Sequence, residues 1–143
     1  MTTCTRVLEF DAGHRVLGHG GRCRFLHGHR YKVEVTIQTP ALDALGMVID
    51  FGIVKERVGG WIDQYWDHNL LLHPGDPLLR CTDAVDAFGG RDPYIMPNGN
   101  PTAENLATVL CNVAAQLLPE FTIMVVKLWE TPNCFAECRP SAG

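Results

Sequence analysis

Residues 22–31, RCRFLHGHRY, place Cys23, His27 and His29 within seven positions. Thiolate and imidazole are zinc-binding side chains. His27 and His29 are two apart, and in a strand that spacing points both rings to one side. His14 falls on the same side of the preceding predicted strand, so three imidazoles from neighbouring strands can converge on one ion. Catalytic zinc sites take three protein ligands and leave the fourth position to water or substrate. Cys23 then has two possible roles: a fourth ligand closing a structural site, or a reactive group beside the metal. The first describes a noncatalytic zinc module and the second an enzyme. Asp67 and His68, adjacent at the end of a predicted helix, have a role only in the second. His19 in a glycine-rich loop and His73 before a proline read as solvated residues.

Charge points to the kind of ligand. The chain carries a formal −4, which argues against a nucleic-acid partner. Between Ala12 and Val33, however, stand Arg15, Arg22, Arg24, Arg30 and Lys32 with no acidic residue. Four of the six histidines share that stretch, which suits a small anionic ligand.

The elements that must position these groups follow from periodicity. Residues 5–14 and 27–38 alternate, and the glycine-rich link between them predicts an antiparallel pair. From Asp50, a plausible N-cap, the period changes: Phe51, Val54, Val58, Trp61, Ile62 and Tyr65 predict an amphipathic helix ending near Trp66–Asn69. Residues 73–100, rich in Pro, Gly and Asp, read as a long excursion with one helical turn around DAVDAF. A second helix opens at Pro101, with Glu104 near its N-terminus and Leu106, Val109, Leu110, Val113 and Leu117 as its stripe. Residues 121–130 and 134–138 close the chain as strands. The expectation is one α+β domain over 1–143, order ββααββ, with a four-stranded antiparallel sheet and two helices on one face.

No apolar run approaches the roughly 18 residues of a membrane span, and MTTCTRVLEF shows no signal-peptide pattern. A cytoplasmic location with no membrane partner is therefore expected, and the six cysteines as free thiols. Cys134 and Cys138 are four apart and form no Cys-x-x-Cys pair.

The motifs then meet a known pattern. Phe10, Ala12, His14 and Arg15, Cys23 before His27-Gly28-His29, Asp67-His68 with Leu71, the run PTAEN from Pro101, and Glu130-Thr131 stand in order. Over Val7 to Cys138 this resembles the 6-pyruvoyltetrahydropterin synthase and 6-carboxytetrahydropterin synthase family. The resemblance implies the tunnelling fold (T-fold), in which trimers join their sheets into a barrel and stack as hexamers, with active sites at subunit interfaces. It implies His14, His27 and His29 as ligands of a zinc cofactor, and Cys23, Asp67 and His68 as the proton-transfer group. Glu130 is implied as the pterin anchor, with Thr102 and Glu104 lining the pocket. The arginines of the basic stretch become candidates for a substrate triphosphate.

Three residues between Cys23 and His27 resemble the bacterial 6-carboxytetrahydropterin synthases of queuosine biosynthesis, which release acetaldehyde, whereas five are usual in biopterin-making enzymes. The alternatives are a 6-pyruvoyltetrahydropterin synthase and a noncatalytic zinc- or pterin-binding module. The family usually passes from Asp-His to Pro-Thr in fewer residues, so the excursion is expected to alter the pocket rim or the subunit contacts.

Overall fold

The structure, a computed structural model, describes residues 1–81 and 89–141. Strand β1 (Thr2–His14) pairs antiparallel with β2 (His27–Thr39) in a register that sets His14 against His27 and Ala12 against His29. The alternation seen in the sequence is the cause. Leu8, Phe10, Ala12 and His14 of β1, and Tyr31, Val33, Val35 and Ile37 of β2, are all buried on one face.

Helix α1 is one rod in three segments: Phe51–Val54, then Lys55–Gly59 in π geometry, then Gly60–Tyr65. Asp50 caps it, its Oδ1 accepting from Gly52 N at 2.8 Å. Helix α2 (Ala103–Leu117) begins two residues later than Pro101 suggests, because Thr102 takes the N-cap and its hydroxyl accepts from Asn105 N at 3.1 Å. Val54, Val58, Ile62 and Trp66 meet Leu106, Leu110 and Ala114 over the apolar face of the sheet. Strands β5 (Thr122–Thr131) and β6 (Cys134–Cys138) complete that side.

The expected four-stranded antiparallel sheet is corrected. With two further strands, β3 (Asn69–Leu72) and β4 (Tyr94–Ile95), the sheet has six strands in the order β4-β3-β1-β2-β5-β6 and is mixed. Strand β3 runs parallel to β1, with Leu71 opposite His14, and β4 runs parallel to β3. Helix α1 supplies the crossover that a parallel pair needs. The excursion 73–100 also holds elements that the sequence reading did not place, β4 and a 3-10 turn, Pro77–Arg80. The helical turn expected around DAVDAF falls outside the described residues. Among the described residues, no helix is long and apolar enough to cross a membrane.

The strand pairings leave a gap beside the histidines. Pairing of β2 with β5 stops at Lys32–Trp129, while β5 continues with β6 as far as Thr131–Cys134. Glu130 therefore faces the start of β2 without a ladder between them.

Candidate metal centre and catalytic site

At the end of the apolar face, His14, His27, His29 and Glu130 bring their ligand atoms within 4.8 Å of one another. His14 is fully buried and its ring packs edge-on against those of His27 and His29, with centroids 4.7 and 5.0 Å away. His14 Nε2 lies 3.2 Å from His27 Nε2 and 3.1 Å from Glu130 Oε1. His29 Nε2 lies 3.3 Å from the same oxygen.

Backbone carbonyls decide the tautomers. His14 Nδ1 is 2.7 Å from Pro101 O and His27 Nδ1 is 2.6 Å from Phe25 O. A carbonyl only accepts, so each Nδ1 carries its ring's proton and each neutral ring turns an unprotonated Nε2 inward. Two lone pairs facing each other at 3.2 Å repel. A hydrogen bond between them would require one ring to be doubly protonated, whereas a cation among them satisfies both as they stand. His29 Nε2 is buried and has no hydrogen-bond partner among the described residues, which leaves a third donor for the same cation. The three imidazoles match the donor set of a catalytic zinc-type site with one position open, and Glu130 stands beside it.

The electrostatics agree. Burial lowers the His29 pKa, and the neighbouring His14 and His27 add to this against the pull of Glu130. His29 is thus held in the neutral, ligand-competent form. The Glu130 carboxyl is held below its usual range, chiefly by the hydrogen bond it accepts from His14 when that ring's Nε2 also carries a proton, against the opposing effect of burial.

A second cluster lies across the sheet, made of Asp11, Asp67 and His68. Asp67 Oδ1 accepts from Asp11 N at 3.0 Å, and its Oδ2 lies 3.0 Å from His68 Nδ1. Burial pushes the Asp67 carboxyl up, but the Asp11 amide, the His68 ring and the Arg30 guanidinium outweigh it, and its pKa falls. His68 has φ 56°, a left-handed conformation that favours glycine or asparagine. Its N–H donates to Asp11 O at 2.6 Å, which pins the strained residue to β1. Strained residues of this kind cluster at functional sites, and His68 is one such residue. Its side chain is 74 % exposed.

Cys23 sits half-buried in the 3-10 turn Arg22–Arg24, held by Val16 N donating to Cys23 O at 2.8 Å. It belongs to neither cluster. Glu130 joins the histidines, a grouping the sequence does not announce. Thr102 spends its hydroxyl on the helix cap, and Glu104 is exposed on the first turn of α2. Neither lines the cleft of about 440 Å³ that opens where β2 and β5 part, whose walls include His29, Arg30, Lys32, Trp129 and Glu130. A larger cleft of about 760 Å³ beside Glu9, Lys55 and Asp63 holds no member of the histidine cluster.

Several supporting residues come from the excursion. Arg15 makes a two-pronged pair with Asp76, which is 1 % exposed, so Arg15 is not free for phosphate. Arg91 donates to the carbonyls of Gln64, at 2.7 Å, and Asp67, closing the end of α1 just before His68. The Asp-Pro step at Asp76 is a readable cap signal; nothing local in the sequence pairs it with Arg15.

Comparison with known proteins shows the family of the chain. The sequence profile of the 6-pyruvoyl tetrahydropterin synthase family matches residues 3–141. The 6-carboxy-5,6,7,8-tetrahydropterin synthase of Rickettsia bellii is 47% identical over 140 residues, covering 96% of this chain and 99% of that one. Among solved structures, an uncharacterised protein from Wolinella succinogenes superposes with a TM-score of 0.81 at 22% identity, over 98% of both chains. The 6-pyruvoyl tetrahydropterin synthase of Caenorhabditis elegans gives 0.72 at 21% identity, over 98% of this chain and 96% of that one, and so shares the fold. The chain belongs to the 6-pyruvoyl tetrahydropterin synthase family.

Proposed function

We propose that the chain is a zinc-dependent 6-carboxy-5,6,7,8-tetrahydropterin synthase. It would convert 7,8-dihydroneopterin triphosphate to 6-carboxytetrahydropterin with release of acetaldehyde and triphosphate, as a carbon-oxygen lyase serving queuosine biosynthesis in the cytoplasm. The observation that carries this is the convergence of three imidazoles, two with their tautomers fixed by backbone carbonyls, beside a cleft that also holds Glu130. The 47% identity to a synthase of that name supports the choice of product.

His14, His27 and His29 would hold the ion. When bound, zinc supplies Lewis acidity toward oxygens of the substrate side chain. Glu130 accepts the amino and ring N–H donors of the pterin in a two-pronged contact. Cys23, as thiolate, takes a proton from the side chain. His68 exchanges that proton at Nε2, while Asp67 accepts from Nδ1–H and fixes the tautomer. Cys23 and His68 do not cluster within one chain, and His68 is exposed, so we place their meeting across a subunit interface of a homohexamer. Arg22 and Arg24, exposed on either side of Cys23, remain candidates for the triphosphate. Thr102 acts through the helix cap, with Glu104 beside it.

The test is to incubate the pure, zinc-loaded protein with dihydroneopterin triphosphate. Acetaldehyde and 6-carboxytetrahydropterin are expected; 6-pyruvoyltetrahydropterin without acetaldehyde would assign the other activity, and bound pterin without turnover would leave a binding module.

A further inference from the structure

The His14 ring is correctly protonated only while Pro101 O stays in reach, and Pro101 lies 87 positions along the chain. What holds the two segments in register is the side chain of Asn100. Its Oδ1 accepts from Leu17 N at 2.9 Å and its Nδ2 donates to Leu17 O at 3.1 Å. This amide pairs with both backbone groups of one residue, as a neighbouring strand would. The main chain of Asn100 is fixed in turn: its carbonyl accepts from Thr102 N at 2.8 Å and from Asn105 Nδ2 at 2.9 Å. The start of α2 and the exit of β1 are thereby locked together one residue from the carbonyl that orients His14.

We infer that Asn100 is a positioning residue for the metal centre: it clamps Leu17 so that Pro101 O receives the His14 Nδ1 proton and His14 Nε2 is left free to ligate. The inference rests on reading the histidine cluster as a metal site, but the tautomer can be observed without metal. Without the clamp, Pro101 O drifts, either ring nitrogen can carry the proton, and part of the population presents N–H where a lone pair is needed.

The experiment measures the ¹⁵N signature of the His14 imidazole in metal-free protein, and zinc affinity by chelator competition, in Asn100→Ala, Asn100→Asp and the control Asn98→Ala. Asn98 also bonds across the same loop, its Nδ2 donating to Asn105 O at 3.2 Å, but does not touch Leu17. Wild type and Asn98→Ala are expected to show a single state with Nδ1 protonated. Asn100→Ala is expected to show a mixture and a zinc affinity about 10-fold weaker, the lower end for losing an outer partner of a metal ligand. Asn100→Asp, which keeps the acceptor and loses the donor, should move both readouts the same way. A folded Asn100 variant with the wild-type tautomer overturns the inference, as does an equal change in Asn98→Ala or failure of both Asn100 variants to fold. If wild type binds no zinc, the metal reading fails and the tautomer alone decides the clamp.

Discussion

The Nε2 atoms of His14 and His27 face each other at 3.2 Å although a backbone carbonyl claims the Nδ1 proton of each ring. A cation between the rings satisfies both nitrogens as they stand, so the arrangement is suited to receive one. Zinc should raise thermal stability, and chelation should lower it. At a free concentration 100 times the dissociation constant the gain is about 2.7 kcal/mol. His27→Ala should abolish most of this gain, as read by melting with and without zinc.

Acid should release the ion. Burial lowers the His29 pKa, so the neutral form that binds metal is favoured above the ordinary imidazole value of about 6.5 and is lost as pH falls through the lower folded value. A depressed histidine pKa also means that the unfolded chain binds more protons as pH falls below the ordinary value, so this residue then costs stability. Zinc affinity measured from pH 8 down to pH 5 should fall; an affinity that rises on acidification would contradict the neutral-ligand reading.

Cys23→Ala should keep its zinc and its fold while turnover drops about 100- to 10,000-fold, the range for losing a positioned acid or base. If Cys23 and His68 meet across an interface, mixing the inactive Cys23→Ala and His68→Asn proteins under subunit exchange should restore part of the activity. No recovery from exchanged hexamers would place both groups on one chain.

His68 combines an uncommon conformation with an exposed side chain. His68→Asn should leave the melting temperature unchanged or slightly raised, because asparagine tolerates φ 56° better, while activity is lost. A large fall in stability would mean that the imidazole is structural.

The Arg15–Asp76 pair ties the excursion to the residue after His14. Burial raises the Asp76 carboxyl pKa, but the Arg15 guanidinium and the Leu78 amide outweigh it and bring it below the ordinary value. Its contribution is therefore complete above about pH 4 and disappears as pH falls through the folded value. Asp76→Asn should cost about 3 kcal/mol at neutral pH, since it leaves Arg15 without its charge partner. Urea melts at pH 7 and pH 3 should show that difference shrinking in acid.

Sequence reading reaches β1, β2 and the three histidines because alternation over a dozen residues fixes both strand and face. It does not reach β3 and β4, because strands of four and two residues are too short to establish a period, and only the path out of α1 sets them beside β1. Glu130 closes a nearly continuous apolar run, so its face is not legible, and its place beside His14 follows from the register of β5. Pro101 O and Asn100 are invisible for another reason: what they do depends on contacts more than eighty positions away.

X-ray absorption at the zinc edge of the substrate-free protein tests the central claim most directly. A shell of nitrogen and oxygen scatterers at about 2.0–2.1 Å is expected, with imidazole outer-shell features and no sulfur. A zinc–sulfur distance near about 2.3 Å would make Cys23 a ligand and contradict that claim.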